Sequence, residues 1–289
     1  MEYREFGRTG MQVSAVGLGG LLARYEGVCG RPPSEEKRRI YLRAAELGIN
    51  LFDTGYGDEV DIPDELKGPG DDRFFALKVG VRDPADLTGV VEGHLANLRR
   101  DAIDILRVHY TNYTADGGLP EAIAALRRAG KVRSLCLIRH YLEDQLAYAA
   151  QGPVPEADAD LVIYNYVCRG QEAGLEQSAQ AGKGVLIMKA LGGQWLDWER
   201  QTRADWSAAT EETAVELSPE GDHIRGYLDL IYPIVSGPWQ ELAGRGEAFP
   251  PPGRAVSWVL QNPAVSSALV AFASVAELND TIGSMKGGV

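Results

Sequence analysis

The sequence predicts an α/β chain closed as a (β/α)8 barrel. Three observations carry this. The chain has 289 residues, the usual length of one such barrel. Eight short apolar runs occur, mostly separated by amphipathic helical patterns. The runs are almost continuously apolar, as parallel strands covered on both faces require.

The elements follow in order. Val13 to Leu18 reads as a strand that ends in Gly17-Leu18-Gly19-Gly20. Ser34 is a natural N-cap for a helix through Leu47, with Glu35 and Glu36 in its first turn and Gly48 after its end. Ile49 to Phe52 is the next strand and runs into Asp53. Phe74 to Val79 follows and contains Lys78. A helix from Pro84 to Arg99 leads to the strand Ile103 to Val108, which ends at His109. Leu119 to Ala129 is a helix closed by Gly130. The strand Val132 to Leu137, the helix Leu142 to Ala150, the strand Leu161 to Tyr164 and a helix over Gln171 to Ala181 continue the alternation. Gly184 to Met188 is the seventh strand and meets Lys189. Arg254 to Leu260 is a helix, Ser266 to Ala271 the eighth strand, and Val275 to Met285 the last helix.

A doubly wound sheet is the rival architecture. It would want a G-x-G-x-x-G turn after the first strand, and Gly17-Leu18-Gly19-Gly20 lacks that spacing. One domain over residues 1–289 is therefore expected. Within it, Gln194 to Pro252 is a long insert holding Trp195, Trp198, Trp206 and Trp239, four of the five tryptophans. An insert of this length is usually a lid, a binding loop or a disordered stretch; its tryptophans favour an ordered, packed segment and make it a candidate lining for an apolar substrate pocket.

Charge narrows the partners. Lys and Arg total 29 against 41 Asp and Glu, a net charge of −12. A nucleic-acid or anionic-membrane surface needs a basic face, so neither is expected. No apolar stretch is long enough to span a bilayer, and the opening residues show no signal peptide. Cys29, Cys136 and Cys168 form neither a disulfide framework nor a C-x-x-C metal pair. A cytoplasmic protein without a metal is the expectation.

Functional groups of a barrel collect at the C-terminal ends of its strands. Asp53, Lys78, His109, Arg139, Asn165 and Lys189 all fall there. A strand that only packs a core has little use for them. Each has a bland reading: a turn cap, a surface lysine, a satisfied buried histidine. Three of them in register make an acid–base set. Lys78, flanked by a carboxylate and apolar neighbours, can poise a phenol, and Tyr56 lies three residues after Asp53. Such a tyrosine can protonate a carbonyl oxygen while His109 orients it. Hydride would have to come from a cofactor. The same groups also suit proton abstraction, as in an elimination or epimerisation. A binding protein without turnover is the third reading.

These motifs resemble the aldo-keto reductases, from about Tyr3 to Ile282. Glu5-Phe6-Gly7-Arg8-Thr9-Gly10-Met11-Gln12-Val13-Ser14 looks like the family's N-terminal β-hairpin. Gly48-Ile49-Asn50-Leu51-Phe52-Asp53-Thr54 looks like the strand of the catalytic aspartate, and Phe75-Ala76-Leu77-Lys78-Val79-Gly80 like that of the lysine. Asp104-Ile105-Leu106-Arg107-Val108-His109 looks like that of the histidine. Gly130-Lys131-Val132-Arg133 and Gly184 through Gly193 match two further segments.

The resemblance implies the TIM-barrel fold with an N-terminal hairpin and an NADPH- or NADH-dependent reduction of a small-molecule carbonyl, or oxidation of an alcohol. It implies a tetrad of Asp53, Tyr56, Lys78 and His109. The family tyrosine usually lies five residues after the aspartate and precedes Gly. Here position 58 is Asp and the Tyr-Gly pair is Tyr56-Gly57, a two-residue shortening. The cofactor set carried over is Gly19, Arg139, Asn165, Lys189, Leu191, Gly192, Ser274 and Asp280. It departs from the family pattern. The usual Ser-Asn pair reads Ile138-Arg139, with His140 next, and the usual Gln reads Leu161. Ala271 to Thr281 contains no Lys or Arg to meet a 2′-phosphate, and the Glu-Asn pair reads Asp280-Thr281. The sequence stops at Val289, soon after the last helix, so the insert is the expected specificity element.

Overall fold

The computed structural model describes residues 1–19, 34–55, 62–70, 72–79, 84–115, 117–191, 239–247, 250–272 and 274–285. Tyr56, Gly192, Cys29 and most of the insert lie outside them.

Strands β1 (Tyr3–Glu5) and β2 (Gln12–Ser14) form an antiparallel hairpin. Eight parallel strands then close a barrel: β3 (Val16–Leu18), β4 (Leu51–Asp53), β5 (Phe74–Lys78), β6 (Ile103–His109), β7 (Val132–Arg139), β8 (Ala159–Ile163), β9 (Gly184–Met188) and β10 (Ser267–Val270). They pair in chain order, and β10 returns to β3 with Ala268 opposite Val16. Around them lie α1 (Ser34–Glu46), α2 (Pro84–Leu98), the short α3 (Tyr110–Thr114), α4 (Leu119–Arg128), α5 (Leu142–Gln151), α6 (Glu172–Gln180), α7 (Pro252–Leu260) and α8 (Val275–Ser284). The expected (β/α)8 architecture with an N-terminal hairpin is what forms.

Strand alternation sorts the core into two layers. Leu51, Ala76, Ile105, Ile138, Leu161, Leu186 and Leu269 fill the lumen. Phe52, Phe75, Val162, Val185 and Ile187 face the helices on one side, and Leu77, Leu106, Val108, Leu135 and Leu137 on another. The hairpin closes the lower end, where Phe6, Met11 and Val13 join the lumen cluster. Gly7 adopts φ +53, and a Cβ there would overlap the Gly184 amide. Only glycine allows the hairpin that close approach.

Three differences from the sequence reading have local causes. The run Val13 to Leu18 splits into β2 and β3. Asn50 Oδ1 accepts the Ser14 N–H at 2.7 Å, and the Ser14 hydroxyl donates to the Val16 carbonyl at 2.6 Å, which turns the chain between them. Strand β8 begins at Ala159 rather than Leu161, because the charged Asp160 is a buried strand residue. Helix α3 follows β6 directly, in a stretch whose polarity gave no helical pattern. Among the described residues, no helix is long and apolar enough to cross a membrane and no group of side chains is set to hold a metal.

Candidate active site

Asp53, Lys78 and His109 end three neighbouring strands. Each stands two residues or a multiple of two beyond a lumen residue of its own strand: Leu51, Ala76 and Ile105. The period-2 alternation therefore turns all three toward the barrel axis. Asp53 and His109 are buried, and Lys78 is half-buried.

Beneath them lies a residue that the sequence reading passed over. Arg107 shares the lumen face of β6 with His109, is buried to 3% exposure, and sits opposite Lys78 in the β5–β6 register. Its guanidinium grips Asp53 bidentately. Nη1 donates to Oδ2 at 2.8 Å and Nη2 donates to Oδ1. Oδ1 also accepts the Gly55 N–H at 2.7 Å. Paired, planar contacts of this kind fix both position and orientation. A signal existed: a charged residue two places before His109 has to share its face.

The strand end at Asp53 is locked from behind. Thr54 is fully buried, and its hydroxyl donates to the Ala76 carbonyl at 3.0 Å. His94 Nε2 lies 3.1 Å from the same hydroxyl oxygen. The hydroxyl hydrogen is already used, so His94 is the donor, with its N–H on Nε2. Burial lowers His94 to a pKa of about 4.

His109 is also held neutral, with a pKa lowered to about 4 by burial first, then by Lys78 and Arg107. Its Nδ1 is buried without a hydrogen-bond partner. A hydrogen there would have no acceptor, so the tautomer carrying N–H on Nε2 is favoured. Tyr141 stacks on the ring at 4.9 Å, and His140 meets it edge-on at 6.3 Å. His140 is pushed down to about 2 by burial, then Lys189, Lys78 and His109.

The residues singled out for a cofactor divide. Lys189 follows β9 in a left-handed conformation, φ +58, unusual for a side-chain-bearing residue. Its Nζ is sealed from solvent. Burial lowers it to about 8, with Cys168 opposing and Lys78 adding to the effect. Asn165 is fully buried and organises the neighbouring loop. It donates to the Lys189 carbonyl at 3.0 Å and accepts the Val167 and Cys168 N–H groups. Gly19 brings its N–H to the Val270 carbonyl at 2.8 Å. Leu191 is a core residue. Ser274 caps α8, accepting the Glu277 N–H at 3.1 Å, and Asp280 is exposed on that helix.

Arg139 departs from the expectation of a group facing the mouth. Its neighbour Ile138 fills the lumen, so Arg139 points outward. Its Nε donates to Asp160 Oδ1 at 2.7 Å, and its guanidinium lies 3.8 Å above the Tyr110 ring. Both charges are buried to 1% exposure or less. The cause is alternation on β7: the strand runs to position 139, and an even-numbered lumen face leaves 139 against the helices.

The start of α8 carries a further surprise. The Val275 N–H donates to Glu36 Oε1 of α1 at 2.8 Å. A carboxylate thus occupies the helix end where an anion would otherwise be drawn. Trp239, the described tryptophan of the insert, is buried and packs on Tyr166 at 5.9 Å, which in turn meets Trp258 of α7.

Known structures share this architecture. A putative aldo-keto reductase from Pseudomonas aeruginosa aligns over 98% of this chain and 95% of its own, with a TM-score of 0.65 and 21% identity. An aldo-keto reductase from Bacillus halodurans, in its holo form, aligns over 100% and 91%, with a TM-score of 0.64 and 18% identity. At such identities the likeness is one of fold. The sequence profile of the Aldo/keto reductase family matches residues 15–287, nearly the whole chain, and with the barrel and its three convergent strand ends in view, the chain belongs to the aldo/keto reductase family.

Proposed function

We propose that this chain is an NAD(P)H-dependent oxidoreductase interconverting a small-molecule carbonyl and its alcohol. Family membership supports an oxidoreductase of that general class. The observation that carries the reading is the convergence of Asp53, Lys78 and His109 on one face of three consecutive strands. Tyr56, beyond the described residues, is the proposed proton donor. Lys78 favours its phenolate by charge, which eases release of the proton to the carbonyl oxygen. His109, neutral, offers a hydrogen bond from Nε2 rather than a competing proton. The bound nicotinamide supplies the hydride.

The start of α8 does not suit a 2′-phosphate, since no Lys or Arg lies within positions 271–281 and Glu36 already caps the Val275 amide. NADH is therefore the favoured partner. That same eroded cofactor pattern sustains the second reading, a proton abstraction at Lys78 and His109 without redox chemistry.

Titration with NADH and NADPH, read by cofactor fluorescence and thermal shift, separates these readings, since a ligand of the native state raises stability by mass action. Micromolar binding is expected, tighter for NADH. Tyr56→Phe should then lower kcat by about 10²–10⁴-fold and leave the NADH dissociation constant unchanged. No binding up to millimolar concentration would overturn the redox reading. It would direct the search to isotope exchange at acidic C–H positions, and silence there too would leave a binding protein.

A further inference from the structure

The Arg107–Asp53 pair is more than a buried ion pair in a core. It lies inside the lumen, one strand step below His109 and beside Lys78 in register. Both oxygens of Asp53 are committed to it. We propose that Arg107 is a positioning residue of the active site: it holds the Asp53 carboxylate as a neutral pair, so that the acid–base groups above it work in the field of Lys78 with little field from Asp53. The proposal deepens the reductase reading and rests on it for its catalytic arm only.

The argument is electrostatic. A lone carboxylate at this depth would attract protons to every neighbour, raising the pKa of the imidazole and of a nearby phenol. A guanidinium that stays charged at any working pH cancels it at contact distance, where two planar groups overlap best. The groups acting on His109 are Lys78 from β5 and Arg107 from below, which holds Asp53, with His140 and Tyr141 packed on the ring after β7 and Lys189 beyond His140. Lys78 and Arg107 each push His109 toward its neutral form. The structure gives Asp53 a bidentate partner on the next strand but one.

Deleting one charge or both tells a working pair from a packing one. Arg107→Gln leaves Asp53 uncompensated. The double variant Arg107→Gln/Asp53→Asn keeps shape and hydrogen-bonding capacity with neither charge. The first readout needs no cofactor and no turnover: NMR titration of the His109 ring nitrogens in the purified, folded protein. Arg107→Gln should raise the His109 midpoint by about one pH unit or more, a tenfold change in proton affinity. The double variant should return it most of the way toward wild type, and Arg107→Lys should lie between. The second readout is the kcat–pH profile with NADH. Arg107→Gln should move its basic limb upward and lower kcat with little change in KM for the carbonyl.

A His109 midpoint in Arg107→Gln within about 0.2 units of wild type would overturn the proposal, whatever the kinetics. Should that variant fail to fold, Arg107→Lys decides, because it loses the bidentate grip on Asp53: a His109 midpoint within about 0.2 units of wild type in that variant would equally overturn it. If the chain binds neither NADH nor NADPH, the reductase reading fails, while the His109 titration still reports on the pair.

Discussion

At the scale of single residues, the imidazoles at the mouth and behind it are kept uncharged. His94 and His109 sit near pKa 4 and His140 near 2, each chiefly through burial. An imidazole in the unfolded chain titrates near 6.5. Between those values the unfolded state binds more protons, so folding stability is complete above about pH 6.5 and is lost as pH falls toward 4. For His94 alone the loss approaches about 3 kcal/mol. Urea unfolding at pH 7 and at pH 4.5 checks it: the midpoint should fall steeply, and His94→Gln should flatten the slope. Equal midpoints for the parent protein would refute the burial argument. This part of the site was half legible. Asp53, Lys78 and His109 announce themselves as polar ends to apolar runs. Arg107 did not, because its significance lies in a partner 54 positions away, and only the closed barrel brings β4 and β6 within reach across the lumen.

At the scale of elements, strand alternation decides what each end residue does. Arg139 looks like the others in sequence, a charged residue ending an apolar strand. Parity turns it to the helix side, into Asp160 and the Tyr110 ring. Burial pushes Asp160 up to about 6 even against that guanidinium. Removing one partner of such a pair strands the other charge, so Arg139→Ala should cost about 3–5 kcal/mol. Replacing both by apolar groups of similar size, Arg139→Met with Asp160→Leu, should restore most of it. Chemical denaturation measures both variants. Dinucleotide affinity of the folded double variant should match the parent, and a tenfold loss would put Arg139 back in the binding site. Element existence was readable where apolar runs and helical patterns alternate, and failed at α3, whose polar stretch carries no helical pattern. Boundaries failed where a polar residue was buried with a partner from elsewhere, as at Ser14 with Asn50 and at Asp160 with Arg139.

At the scale of the whole molecule, the two ends of the barrel do different work. The upper end gathers titratable groups. The lower end is sealed by the hairpin, with Phe6 fully buried against Gly184 and the lumen cluster. Changes at the bottom of a barrel act on stability and those at the top on chemistry. Phe6→Ala should therefore cost about 3–5 kcal/mol and leave kcat and cofactor affinity of the folded fraction unchanged. Calorimetry paired with initial rates tests this. A selective loss of activity at full stability would mean that the plug reaches the chemistry. The fold was legible at this scale because one chain length and one alternating pattern admit few architectures. The insert was not, since its tryptophans say that it packs without saying on what. Trp239 shows one answer, against Tyr166 beside α7.

The closing seam of the barrel has a meaning in time as well as space. Strand β3 pairs with β10, and Arg4 in the hairpin donates to the Leu260 and Val265 carbonyls, the latter 261 positions along the chain. A ribosome delivers residues from one end only. The free edge of β3 therefore stays uncovered through almost the whole of translation, and the plug beneath it waits as long for its last contacts. Open edges and late, distant pairings slow folding and invite association with other chains. The same seam that gives the finished enzyme an edgeless sheet makes the nascent chain dependent on whatever shields it until the eighth strand arrives.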